Sequence, residues 1–203
     1  MDYSVRLRRP AADWFLVANG AGRGRAAEAV RAALVRERFD AVVSTGYCGG
    51  LDPALRPGAV IAVTEIRLEG GELAGRAERA PALSGLAAGP LVTLDRIVLA
   101  APEKKRLRER GFLAVDMEAA GVAAELPSGS RFYCIRAVTD AADETLRIDL
   151  NRARDSAGRI GDARVARAAL RRPLTGVPEL WRLFRRSRLA SERLGAVLFE
   201  CEF

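Results

Sequence analysis

Two carboxylates stand where chemistry is easy to place. Asp140 follows directly on the apolar run Arg131–Val138, in the segment RAVTDAADE, and Glu118 lies in VDMEAA, on the first turn of a helix predicted from Met117 to Leu126. Open α/β sheets keep their ligands at the carboxyl ends of strands, and Asp140 is at such an end. Partial burial there raises a carboxyl's proton affinity and lets it act as an acid. A carboxylate placed like Glu118 suits two vicinal hydroxyls, since each oxygen accepts one O–H bond. Taken singly, each group reads more simply as a helix-cap or turn carboxylate.

Two glycine-rich segments could shape a site around these acids. In Ser44–Gly58 (STGYCGGLDPALRPG) a strand ends in small residues, and Gly46, Gly49 and Gly50 clear space for backbone N–H groups to face an anion or a sugar hydroxyl. In Asn19–Glu28 (NGAGRGRAAE), Gly20, Gly22 and Gly24 separate a strand from a helix in the manner of a phosphate cradle. A dinucleotide fingerprint would need its third glycine at position 25, which is Arg25. A plain strand–helix turn accounts equally well for these glycines.

Composition narrows the chemistry. The chain of 203 residues has no histidine, so acid–base work falls to carboxylates, Tyr, Lys or Cys. Cys48, Cys134 and Cys201 show neither a metal spacing nor an even disulfide framework, and read as reduced thiols. The net charge of +7 favours anionic partners, with much of the excess carried by arginines near the end of the chain. The start MDYSVRLRRPAADW lacks the apolar stretch of a secretory leader, and no run approaches the roughly 18 apolar residues of a membrane span. A cytoplasmic location is the expectation.

The elements that must position these residues alternate between strand and helix. Trp14–Ala18, Ala41–Thr45, Gly58–Ile66, Leu91–Leu94, Phe112–Val115 and Arg131–Val138 read as strands. Ala26–Phe39 and Pro102–Arg110 read as helices, and Asp116 can cap the helix that starts at Met117. Gly70–Gly89 reads as a hairpin excursion or loose loop. The pattern predicts an α/β fold, a three-layer α/β/α arrangement with a mixed, largely parallel central sheet. From about Asp149 the sequence turns polar and irregular, then yields a helix at Ala163–Arg172 ended by Pro173. A long amphipathic helix follows at Pro178–Phe199, with Leu180, Trp181, Leu183, Phe184, Leu194, Val197 and Leu198 on its apolar face. Residues 1–150 are therefore read as an α/β core and 151–203 as a helical extension of the same domain.

Together, STGYCGGLDPALRPG, AVDMEAAGVAA and CIRAVTDAADE resemble the purine nucleoside phosphorylase and nucleosidase superfamily in content, order and spacing, from about Phe15 to Glu144. The sequence looks closest to the methylthioadenosine/S-adenosylhomocysteine nucleosidases and to the hopanoid-associated phosphorylase branch, which the tail LRRPLTGVPELWRLFRRS is also similar to. The resemblance implies cleavage of a purine–ribose bond, with a 5′-modified adenosine as substrate, and for the last branch a place in hopanoid biosynthesis. It implies that Asp140 serves N7 of the departing purine, that Glu118 holds the ribose hydroxyls, and that Met117 packs on the sugar. Thr45, Gly46, Tyr47 and Gly49 then lie beside the ribose and the nucleophile. No cofactor or metal is implied, inorganic phosphate being a potential co-substrate, and a homo-oligomer is expected.

Two departures from the family pattern stand out. Members begin with a further strand and a glutamate that activates water, whereas only MDYSVRLRRPAAD precedes Trp14, so the first strand is read as missing or shortened. A position usually held by a small Ser or Ala is Tyr47, which leaves water and phosphate both open as nucleophile. Two other functions remain compatible: a nucleoside-binding protein without catalysis, and a dinucleotide-dependent oxidoreductase. Nucleic acid is not an expected partner. The basic, aromatic tail helix suits either an anionic membrane surface or packing on this domain or on a second subunit.

Overall fold

The computed structural model describes residues 3–8, 12–152, 162–170, 173–201 and 203. Part of the polar stretch after Asp149, and Arg172 at the end of the helix predicted at Ala163–Arg172, lie outside the described residues.

Apolar β-branched runs give the sheet its long strands: β3 (Ala41–Gly50), β4 (Val60–Leu68), β6 (Ala87–Thr93) and β8 (Arg131–Asp140). The short strands β5 (Leu73–Arg76) and β7 (Ala114–Asp116) complete a six-stranded sheet in the order β5-β4-β6-β7-β3-β8. The sheet is mixed, as its sequence pattern predicts. β4–β6, β6–β7 and β3–β8 are parallel, and β3–β7, β4–β5 and β4–β8 are antiparallel. Because β4 pairs with β8 as well as with β6, the sheet curls until β4, β6, β7, β3 and β8 form a ring.

Alternation along β8 shows why helices are needed on both sides. Phe132, Cys134 and Val138 share one core cluster with Ala119, Ala120 and Val122 of helix α3 (Ala119–Ala124), flanked by Ala26 and Val30 of α1 (Arg23–Arg36). Tyr133, Ile135 and Ala137 point the other way, against Ala190 and Leu194 of the long helix α5 (Pro173–Glu200). A strand buried on both faces gains the hydrophobic contribution twice. Helix α2 (Ala101–Glu109) buries Leu107 in a third cluster with Val92, Val98 and Phe112. Helix α4 (Asp162–Leu170) contacts α5.

Several boundaries differ from the sequence reading. A strand, β1 (Tyr3–Arg8), does precede the Trp14 run, and it pairs in antiparallel register with β2 (Asp13–Ala18) as a separate two-stranded sheet. β2 therefore stands outside the main sheet, anchored by Trp14 against Phe203 and by Phe15 stacked on Phe39. Gly46–Gly50 is strand, not loop, because β3 pairs with β8 as far as Gly49 and with β7 through Gly49 and Gly50. The Gly70–Gly89 excursion contains β5 and the start of β6. Pro173 opens α5, where its missing N–H costs no intrahelical bond, and Pro178 lies inside that helix. The predicted apolar face of the tail helix splits: Leu194 is buried, as is Ala190 beside it, whereas Trp181 and Phe184 are 62% and 58% exposed. Among the described residues no helix is long and apolar enough to cross a membrane.

Candidate functional site

A buried polar network fixes the frame of the site. Arg136 of β8 donates from Nε and Nη2 to Asp116 Oδ2 at 3.0 and 2.8 Å, and from Nη1 to the Ser44 carbonyl at 2.9 Å. Asp116 Oδ1 accepts from the Thr93 hydroxyl at 2.7 Å, and Oδ2 also accepts from the Ala119 N–H at 2.9 Å; α3 begins at Ala119 and not at Met117, so the N-cap position is Glu118's and not Asp116's. One arginine and one aspartate, both fully buried, thus tie β3, β6, β7, β8 and α3 together. A buried pair is rarely a net source of stability, but removing one partner strands the other. Arg136 sits inside the CIRAVTDAADE segment, and the sequence reading did not single it out.

This frame sets Met117 and Glu118 at the junction of β7 and α3. Met117 is buried. Glu118 is the residue just before α3, one position earlier than a first-turn placement. Its Oε1 accepts from the Gly22 N–H at 2.6 Å, and its Oε2 from the Met117 N–H at 3.2 Å. Gly22 precedes α1 with φ 107°, a conformation other residues rarely adopt. The anion in the Gly20–Gly24 cradle is thus the protein's own carboxylate. Burial, with the Asp116 charge adding to it, pushes the Glu118 carboxyl above its ordinary value.

Asp140 ends β8 opposite Gly49 of β3. A β-carbon at Gly49 would lie 3.2 Å from Asp140 Oδ2 and from Val115 Cγ1, so the glycine there makes room for the carboxylate. Asp140 Oδ1 bonds the Thr139 hydroxyl at 2.9 Å. Its Oδ2 accepts from the ammonium of Lys104, a completely buried residue of α2 that also donates to the Ala141 carbonyl at 2.8 Å. The sequence reading had Asp140 acting on burial alone. An ion pair with Lys104 is present as well, and Lys104 was hidden in the charged run PEKKRLRER, where only its three-residue spacing from buried Leu107 marks the inner face.

Thr45, Gly46, Tyr47, Gly49, Met117, Glu118 and Asp140 all line one cleft of about 1680 Å³. Tyr47 is half-exposed, and its hydroxyl lies 2.5 Å from that of Ser191 on α5, so the ring spans from the sheet to the tail helix. From there the cleft continues over Leu180, Leu183 and Phe184. All three cysteines are buried and free. Burial raises the thiols of Cys48 and Cys134, the latter to about 11. Among the described residues no group of three His, Cys, Asp or Glu side chains could hold a metal ion.

No protein-family profile and no curated protein sequence matches the chain. Solved structures do. The methylthioadenosine/S-adenosylhomocysteine nucleosidase of Helicobacter pylori, bound to butyl-thio-DADMe-Immucillin-A, superposes with a TM-score of 0.67 over 98% of this chain and 84% of its own, at 14% identity. The corresponding enzyme of Colwellia psychrerythraea, in complex with adenine, gives a TM-score of 0.52 over 70% of this chain and 74% of its own, at 23% identity. The S-adenosylhomocysteine nucleosidase of Streptococcus pyogenes, with 5-methylthiotubericidin, gives 0.54 over 69% and 76%, at 19% identity. At these identities the likeness is one of fold: the chain has the nucleosidase-type α/β fold.

Proposed function

We propose that this chain cleaves the N-glycosidic bond of a purine nucleoside, with 5′-modified adenosines as its substrate class. The observation that carries the reading is the convergence of Asp140 and Glu118, from two different strand ends, on one cleft. It is supported by a fold shared across 98% of the chain with a nucleosidase solved with a nucleoside analogue.

Breaking the C1′–N9 bond leaves positive charge on the ribose and sends the bonding electrons onto the purine. Asp140 meets the base at N7 and passes it a proton, which makes the purine a neutral leaving group. Glu118 accepts hydrogen bonds from the ribose hydroxyls with the lone pairs that Gly22 and Met117 leave free, and its charge favours the cationic sugar. Positioned groups of this kind contribute about 10²–10⁴-fold each. Gly46, where an added β-carbon would meet nothing within 4 Å, lets the sugar approach the strand, and Met117 packs on it. Water, which loses a proton to solvent as it bonds, or phosphate then adds at C1′.

The tail's resemblance to the hopanoid-associated branch extends the proposal to an apolar 5′ substituent, and the cleft's continuation over Leu180, Leu183 and Phe184 supports it. Chromatography of products from a panel of 5′-modified adenosines, with and without phosphate, is the test. Free purine base formed without phosphate means hydrolysis, and base formed only with phosphate means phosphorolysis. Tight binding with no base released over hours would leave a nucleoside-binding protein instead.

A further inference from the structure

α2 carries adjacent lysines with opposite fates. The side chain of Lys105 is 77% exposed, near Glu109, whereas that of Lys104 is 0% exposed and ends on Asp140. Enclosing an ammonium is costly, and a buried ion pair is commonly no more stabilising than an apolar pair of the same volume. Stability alone therefore does not account for a lysine where Leu or Met would fill the space. The ammonium donates to the Ala141 carbonyl and to Asp140, the carboxylate that the proposed reaction sets against the leaving group.

Lys104 Nζ donates to Asp140 Oδ2 of β8 and to the Ala141 carbonyl just beyond it. Of the two acids that follow in that loop, Asp143 is exposed beside Arg56 and Glu144 is the more buried. Its Oε2 is already taken by the Ala141 N–H at 3.0 Å and by Arg186 of α5 at 2.5 Å. Burial raises the Glu144 carboxyl, but the Arg186 and Ala141 hydrogen bonds, together with the charges of Arg186 and Lys104, outweigh it and hold the group below its ordinary value. Glu144 thus stays paired with Arg186. On the other side of the acid, the Thr139 hydroxyl lies 2.9 Å from Asp140 Oδ1 and 3.2 Å from the Cys48 carbonyl. One hydroxyl proton serves one of these acceptors. Given to Asp140, it supports the carboxylate; given to Cys48, it leaves a lone pair for a protonated Asp140 to donate to. Both forms of the acid therefore have a partner.

We propose that Lys104 is the positioning residue of this site: it holds Asp140 by Oδ2 and stores the proton that Asp140 delivers to the departing purine. The inference rests on the nucleosidase reading above. The step balances within the site. The pair exchanges a proton from Nζ to the carboxylate, giving a neutral amine and a carboxylic acid. As the C1′–N9 bond breaks, the acid's proton goes to N7 and the bonding electrons stay on the base. Once the products leave, a proton from solvent returns to Lys104 by way of Asp140, which lines the cleft.

The experiment compares two leaving groups in the full chain. A 5′-modified adenosine needs a proton to leave well; 4-nitrophenyl β-ribofuranoside releases a stable anion and needs none. Lys104→Met should lower kcat on the adenosine by about 100-fold, in the range of general acid catalysis, with KM within about threefold, and leave the nitrophenyl riboside within about threefold on both. Lys104→Gln keeps a donor to Asp140 without a proton to give. It should show the same split, and it carries the test if the Met variant does not fold. Equal losses on both substrates would make Lys104 a structural prop, and full activity of Lys104→Gln on the adenosine would remove the proton store; either overturns the inference. Wild-type protein that cleaves neither substrate overturns the nucleosidase reading itself, and this inference with it.

Discussion

The backbone N–H of Gly22 donates to Glu118 Oε1 at 2.6 Å across 96 residues of sequence. That bond joins two segments that the sequence offers separately, a glycine-rich strand–helix turn and a carboxylate beside α3. The positive end of α1 meets an internal anion there, so Gly22 helps to orient the protein's own carboxylate.

Glu118→Gln keeps an oxygen for Gly22 and removes the charge. Binding of a ribonucleoside should weaken about ten- to a hundred-fold, while a 2′,3′-dideoxy analogue, which has no hydroxyls to offer, should change little. The wild-type carboxyl is raised by burial and by Asp116, so it takes up its proton at a higher pH than an ordinary carboxylate. KM for the ribonucleoside should accordingly begin to climb on acidification while the pH is still above 4.5, the ordinary value. Equal losses on both nucleosides, or a KM flat down to that pH, would count against the role.

Asp140→Asn preserves shape and the contact with Lys104 but takes away the exchangeable proton. Turnover of a purine nucleoside should fall by at least about two orders of magnitude, with binding retained. Near-native turnover in steady-state assays would end the assignment.

Gly121 is set by packing between helices. A β-carbon on it would lie 2.1 Å from the Arg23 carbonyl oxygen, which is backbone at the start of α1 and cannot rotate away. Gly121→Ala should destabilise the fold by about 2–3 kcal/mol in a denaturant titration. Because the same shift pulls Gly22 from Glu118, KM for a ribonucleoside should rise in the fraction that remains folded. An unchanged midpoint would show that α1 and α3 part more easily than their contact suggests.

The three cysteines are all buried, and burial raises their thiols. A thiol-reactive chromophore at neutral pH should count none of them within minutes in native protein and all three after unfolding. Rapid native labelling would place one at a functional opening.

How much of this was legible in the sequence follows from the range of each signal. β8 and Asp140 were readable because an apolar run ending in an acid is a local pattern. α2 was placed within one residue at each end, since Pro102 marks its first turn. Gly46–Gly50 read as a loop because glycines lack strand propensity; it is strand because β7 and β8 pair with it on either side, a fact no local window contains. Lys104, Ser44 and Thr93 were invisible for the same reason. Each owes its role to a partner more than 20 residues away, Asp140, Arg136 and Asp116 respectively.

α5 makes the last prediction. Its inner residues Ala190 and Leu194 pack on the sheet, which satisfies only part of the apolar face. Trp181 and Phe184 stack on each other at 5.8 Å and remain exposed, with Val177 one turn earlier at 46%. The same helix carries Arg182, Arg185, Arg186, Arg188 and Arg193; Arg186 is paired with Glu144 and Arg188 with Glu192. Aromatic rings beside surplus positive charge on a chain of net charge +7 complement an anionic bilayer surface. Phe184 also lines the cleft, so a surface held there would present an apolar 5′ group directly to the site. Co-sedimentation with phosphatidylserine-containing vesicles should recover the protein at about 0.05 M salt and release it by about 0.5 M, as screening shortens the reach of the arginines. Neutral vesicles should bind little. Trp181→Ser with Phe184→Ser should abolish vesicle binding while leaving the melting temperature within a few degrees, because neither ring is buried. If instead the wild-type chain ignores anionic vesicles and its mass doubles with concentration, and the double variant stays monomeric, the face is an interface between two copies and the membrane reading fails.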